Sequence, residues 1–202
     1  MGTVAKMCGL AFVAVIILGI GFYVVVLPAF FSARATPGAL ETRAVRYLRH
    51  LAIPREVRDS RNPVAVSPEI LAEARAHFAD HCATCHGNDG RGRTEMGPNF
   101  YPPVPDMTAP ETQSLSDGEI FYAIQNGVRL TGMPAWGTNS PEDIEASWKL
   151  VHLIRHLPEI SRKELREMEG MNPKSPMEME EKSEDDKFLE GGAPSESNHH
   201  SH

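Results

Sequence analysis

Two thiols and an imidazole stand within five residues, Cys82-Ala83-Thr84-Cys85-His86. The spacing suits covalent haem attachment. Two cysteines reach the two vinyl groups on one porphyrin edge and form thioethers, and the next residue places an imidazole beneath the iron. Other uses of the pair fit less well. A structural zinc site needs four protein ligands, and the only further cysteine, Cys8, lies in an apolar run far from Cys82. A redox dithiol expects a strand before it and a helix after it. Here a helical pattern precedes the pair and a glycine-rich loop follows. A disulfide between Cys82 and Cys85 leaves His86 without a role.

An iron held in this way needs a sixth ligand or keeps an open position. The chain has nine methionines, and context separates them. Met133 sits in Thr131-Gly132-Met133-Pro134-Ala135-Trp136, a turn-rich loop between two helical patterns, where irregular backbone can aim a thioether inward. Met107, after Pro105-Asp106, is the main rival, and Met96 lies nearer the pentad. Met168, Met171, Met177 and Met179 belong to the C-terminal tail. A lone methionine is usually core filler, so residue type alone leaves the choice open.

Helices must position these groups. Ser67-Pro68-Glu69 reads as an N-cap, an N1 proline and a first-turn acid. Ile70, Leu71, Ala74 and Phe78 then carry an apolar stripe into Cys82. A loop of Gly, Pro and polar residues covers roughly 87–115. Ser116-Asp117-Gly118-Glu119 matches a capping box before Ile120, Phe121, Ala123 and Ile124, and Asn126-Gly127 ends that helix. Ser140-Pro141-Glu142-Asp143 opens a last helix with Ile144, Trp148, Val151 and Ile154 inward, and Pro158 stops it. Phe78 and Trp148 are expected to pack where the first and last helices cross. No segment shows a strand's alternation.

Outside this domain the chain changes character. The segment 7–33 is uncharged, between Lys6 and Arg34. As a helix it is long enough to span a bilayer, longer than the apolar part of most cleavable signal peptides. An uncleaved anchor is expected. Residues 34–61 hold 7 basic and 3 acidic side chains, 62–160 hold 6 and 13, and 161–202 hold 6 and 11. The basic stretch suits anionic headgroups. The acidic remainder argues against nucleic acid and favours a basic protein face. Leu40, Ala44, Tyr47, Leu48 and Leu51 recur at helical spacing, giving a short amphipathic helix that lies on the membrane or packs on the domain. Residues 161–202 lack apolar periodicity and read as disordered. The tail's His199, His200 and His202, with Met177 and Met179, raise a metal hypothesis, against which stands the plainer reading of a frayed polar end.

The expected architecture is therefore all-α. A short segment 1–6 precedes the anchor 7–33. A juxtamembrane helix and linker fill 34–66, the compact domain runs 67–160, and the tail takes 161–202. No Ser/His/Asp arrangement, Walker loop or H-E-x-x-H motif offers a different chemistry.

Residues 67–160 resemble the class I, monohaem cytochrome c family, and are similar to the cytochrome domains of bacterial oxidase subunits. The matching run is Phe78-x-x-x-Cys82-Ala83-Thr84-Cys85-His86-Gly87, then Gly90-Arg91-Gly92, Gly97-Pro98, Ile120-Phe121, Asn126-Gly127-Val128 and Gly132-Met133-Pro134-Ala135-Trp136. The resemblance implies a fold of three to five helices around one covalently bound haem c. It implies His86 as proximal and Met133 as distal iron ligand, with the Pro98 carbonyl accepting from His86 Nδ1. Arg91, Arg93 and Trp136 are candidates for the haem propionates, with surface charge and core packing as equal alternatives. A His/Met iron has no free position, which favours one-electron transfer over catalysis. The expectation is an electron carrier or subunit, not itself an enzyme, working with redox proteins or respiratory-complex subunits and no small-molecule substrate. A haem-based enzyme or sensor with a labile sixth ligand is the alternative. Counting basic residues puts the C-terminal side of the anchor in the cytoplasm. The family's haem attachment on the outer side overrides this, giving a single-pass protein of the bacterial inner membrane with a periplasmic haem domain.

Overall fold

The computed structural model describes residues 2–174. Every regular element among them is a helix. The apolar segment forms α1 (Gly2–Gly21), a π-helical stretch Phe22–Val26 and a last turn α2 (Leu27–Phe30). Leu27 N–H bonds the Phe22 carbonyl, five residues back. The wide turn falls directly before Pro28, whose ring brings no N–H to the ladder. Lys6–Val26 is 21 residues long and apolar enough to cross a membrane, about 31 Å of helix. Its large apolar side chains face outward, as lipid-facing ones do.

Beyond it come α3 (Ala39–Ala52), α4 (Arg55–Arg58), α5 (Pro68–His81) and the single turn α6 (Ala83–His86). Then follow α7 (Pro110–Gln113), α8 (Asp117–Asn126), α9 (Pro141–His156) and α10 (Arg162–Glu169). The helix starts expected from the sequence are real caps. Ser67 Oγ accepts from Ile70 N–H at 3.2 Å, and Ser140 Oγ from Asp143 N–H at 3.2 Å. Ser116 and Glu119 close a reciprocal capping box.

Helix α9 is the spine, with α5 and α8 packed against it. Ala74, Phe78 and Ala79 from α5 meet Ile120 and Ile124 from α8 and Trp148, Leu150, Val151, Leu153 and Ile154 from α9. Phe78 and Trp148 share this core. The stacking partner of Trp148, however, is Phe121 on α8, at 4.2 Å between centroids and 8° between planes.

A stretch expected to serve as a linker and the start of one expected to be disordered are part of the fold. Within 34–66, Ile53 is buried, and α4 packs on α8. Asn62 Nδ2 donates to the Trp148 carbonyl at 2.8 Å, and His152 Nε2 pairs with the Val64 carbonyl at 2.7 Å. The expected linker is therefore strapped across α8 and α9. At the other end, the disorder expected from residue 161 does not begin there. Ser161 caps α10 through a box with Glu164, Met168 is fully buried, and Arg75 of α5 binds Glu164 at 3.0 Å. Eight residues supply too few apolar positions for a visible periodicity, so α10 is held by one buried methionine and by Arg75 and His156 on its carboxylates. Residues 175–202, including Met177, Met179, His199, His200 and His202, lie outside the described residues.

Candidate functional site

The pentad sits where α5 ends. Cys82 is the C-cap of α5, its N–H bonding the Phe78 carbonyl at 2.8 Å. The chain then makes one more turn, with Cys85 N–H and His86 N–H both reaching the Cys82 carbonyl, at 3.2 and 2.9 Å. Residues three apart on such a turn share a side, which is how a short C-x-x-C spacing presents two thiols together. Both cysteines are free thiols. Gly87, at φ +70°, turns the chain out of the helix.

The loop after it is built on its own main chain. Gly92 N–H bonds the His86 carbonyl at 2.7 Å. Thr94 Oγ1 bonds the Cys85 carbonyl at 3.1 Å and accepts from Gly97 N–H at 2.9 Å. Gly97 lies so close to Gly92 that a Cβ there would fall 2.1 Å from the Gly92 carbonyl oxygen. These bonds fix the backbone around His86 but leave its ring unanchored. His86 Nδ1 is buried with no hydrogen-bond partner. The bond expected to the carbonyl of Pro98, which lies in the short 3-10 turn Gly97–Asn99, is not made.

Beside the pentad opens a cleft of about 280 Å³ whose walls include Cys82, His86, Met107, Met133 and Trp136. Phe78 forms part of the wall too, its ring 6.4 Å from that of His86, while Ile124, Leu150 and Ile154 keep the interior apolar. Cys85 and Pro98 are not among the wall residues. Burial sets the protonation of the donors. It pushes His86 down to about 4, so its imidazole is neutral and its lone pair available near neutral pH. Burial first, and then the neighbouring Cys85, push the Cys82 thiol up to about 12.

Met133 reaches the cleft from a loop tied back on itself. Val128 N–H bonds the Met133 carbonyl at 3.1 Å. Thr131 Oγ1 donates to the Val128 carbonyl and accepts from Met133 N–H. Trp136 N–H and Gly137 N–H, both bonding at 3.1 Å to carbonyls of Ile124 and Gln125, return the chain to α8. Met107 is held as firmly, its N–H on the Gly90 carbonyl and its carbonyl on Gln113 Nε2 at 2.7 Å. The structure thus brings Cys82, His86 and both Met133 and Met107 to one cleft. Among the propionate candidates Trp136 lines it, whereas Arg91 pairs with Asp89 at 3.7 Å and Asp106 at 3.9 Å, away from the wall.

Some contributors escaped the sequence reading. Phe100 packs under the Met133 loop so closely that a Cβ at Gly132 would meet its ring at 2.3 Å. Only the neighbouring Gly97-Pro98 pair could have drawn attention to it. His77 and His81 also border the cleft, with ring centroids 4.9 Å apart. His81 lies 5.7 Å from Trp136. Their i, i+4 spacing on α5 was visible, but nothing in the sequence linked them to Trp136.

The residues fit a covalently attached haem: two free thiols flank one turn, a buried neutral imidazole lines the cleft beside them, and thioethers stand in the same apolar cleft. The comparisons agree. The family described as cytochrome c oxidase, cbb3-type, subunit III matches residues 69–152. The chain is also similar to the Cbb3-type cytochrome c oxidase subunit FixP of Azorhizobium caulinodans, 36% identical over 87 residues covering 38% of this chain and 25% of the relative. The matched part spans only about a quarter of that relative's length. Residues 69–152, from α5 into α9, are thus similar to the cytochrome c domains of respiratory oxidase subunits.

Proposed function

We propose that the chain is a membrane-anchored c-type cytochrome that passes single electrons through one haem bound at Cys82 and Cys85. The observation that carries the reading is the shared cleft of Cys82, His86 and Met133. When bound, the haem supplies a reversible one-electron change at its iron. Cys82 and Cys85 would hold it covalently through their sulfurs. His86 supplies a neutral nitrogen and Met133 a thioether. Phe78, Ile124, Leu150 and Ile154 exclude water, and the loop bonds at Thr131 hold Met133 in place. With both His86 and Met133 given to the iron, the chain would leave no place there for a substrate, and the group would supply electron transfer alone. One C-x-x-C-H pentad in the chain supports one haem.

The resemblance to an oxidase subunit supports redox proteins or respiratory-complex subunits as partners. The apolar helix supports an anchor in the bacterial inner membrane, with the haem domain on the periplasmic side where such haems are attached. Membranes containing the full chain test this directly. Covalent haem that is reduced and reoxidised with a respiratory substrate supports the reading, and bound haem that exchanges no electrons with the respiratory chain contradicts it.

A second reading rests on Met107, which shares the cleft. If the sixth ligand leaves readily, the haem becomes a sensor or enzyme site. Carbon monoxide distinguishes the two: a closed His/Met iron in the reduced protein does not take it up rapidly, and an open one does.

A further inference from the structure

Helix α3 carries its apolar side chains on the wrong side for a helix that packs on a soluble domain. Its bonds to the domain are polar. His50 Nδ1 meets Glu119 Oε1 at 2.8 Å, and Tyr101 Oη donates to Glu41. Arg58, just beyond α3, places Nη1 3.1 Å from His50 Nε2 and so braces the same corner. No residue of α3 is buried. Leu40, Tyr47, Leu48 and Leu51 form one stripe at helical spacing, and they are 83%, 64%, 62% and 58% exposed.

Two observations name what covers this stripe. Only residues 31–38 separate the end of the apolar helix at Phe30 from Ala39, a reach of at most about 32 Å even when fully extended. This short connection keeps the start of helix α3 within reach of the membrane surface. Beside the stripe Arg43 is exposed, as is Arg34 in the connecting segment, and both carry the charge sign that anionic headgroups attract. The domain beyond is acidic, with 6 basic and 13 acidic residues over 62–160. We propose that the stripe of α3 lies in the surface of an anionic lipid leaflet and seats the cytochrome domain on the membrane. This rests on the anchored reading above. Helix α3 is then an interfacial helix whose polar contacts at both ends fix how the domain sits, in place of a slack tether. Tyr47 suits the interface because its ring is apolar and its hydroxyl stays wet.

The test uses the full haem-loaded chain in phosphatidylcholine vesicles containing phosphatidylserine. A Cys8→Ser background removes the remaining free thiol, and a nitroxide is attached to Leu48→Cys, Leu51→Cys, Arg46→Cys or, in the anchor, Val15→Cys. Collision with lipid-dissolved oxygen and with a water-soluble nickel chelate is then measured. The expected result is preferential oxygen collision at 48, 51 and 15, preferential nickel collision at 46, and a weaker contrast at 48 and 51 when phosphatidylserine is omitted. Nickel collision at 48 and 51 equal to that at 46, with 15 still in lipid, overturns the seat while leaving the anchor intact. Shielding of 48 and 51 from both reagents overturns it in favour of a protein partner. Nickel collision at 15 overturns the anchored reading itself.

Discussion

Glu119 Oε1 lies 2.8 Å from His50 Nδ1, a contact between residues 69 positions apart in the chain. It closes the juxtamembrane helix onto the helix that leads into the Met133 loop. Burial opposes ionisation of Glu119, but the Ser116 N–H at 2.8 Å, His50 and Arg49 outweigh it and hold the carboxyl below the usual range. A carboxyl whose folded pKa is depressed stabilises the fold above its unfolded value, about 4.3. That stabilisation is lost as pH falls through the folded value. Acid should therefore loosen α3 from the domain and weaken the fold as pH falls through that lowered value. Glu119→Gln should cost on the order of 1 kcal/mol at neutral pH and flatten this acid limb, as read by denaturant melts across pH.

Met133 and Met107 share one cleft but are predicted to differ in role. Met133→His should replace a thioether by a stronger donor, changing the oxidised spectrum and lowering the reduction potential. Met107→Leu should leave both nearly unchanged and cost under about 1.5 kcal/mol of stability. Potentiometric titration of the two variants checks this, and the reverse pattern would move the ligand to Met107.

Gly132 has room for no side chain against Phe100. Gly132→Ala is expected to push the Met133 loop outward, giving the haem partial access to carbon monoxide. Adding Phe100→Leu should relieve the collision and restore much of the closed spectrum. Carbon monoxide uptake by the single and double variants decides it.

Helix α10 is predicted to be a structural part of the domain. Met168 is fully buried, so Met168→Ala should cost about 2–5 kcal/mol. Thermal melts of the full chain in detergent would show the loss, and an unchanged melt would mean that α10 is dispensable.

The parts legible in the sequence were those with local signals. The serine caps at 67, 116 and 140 and the apolar stripes of α5, α8 and α9 are short-range patterns, and they form as expected except at Ile144, which was expected inward but sits in the first turn of α9 and is 38% exposed. The pentad drew attention through its residue types and spacing and Met133 through the resemblance, and Cys82, His86 and Met133 line one cleft. What stayed hidden depends on contacts between distant segments. The strap of 53–64 over α8 and α9 relies on Asn62 meeting a carbonyl of residue 148. Phe100 matters only because the fold brings it beneath Gly132. Helix α10 is eight residues long, too short for periodicity to outweigh a strongly polar composition. Pro98 shows the opposite limit, since the resemblance implied a bond to His86 that the local backbone does not make.

The central claim is covalent haem at Cys82 and Cys85, and mass measurement of the purified, denatured full chain after acid–acetone extraction tests it most directly. The account predicts a chain heavier by one haem, with the added mass on a peptide containing Cys82 and Cys85 and absent from Cys82→Ala/Cys85→Ala protein. A bare chain mass with all haem in the solvent would contradict it.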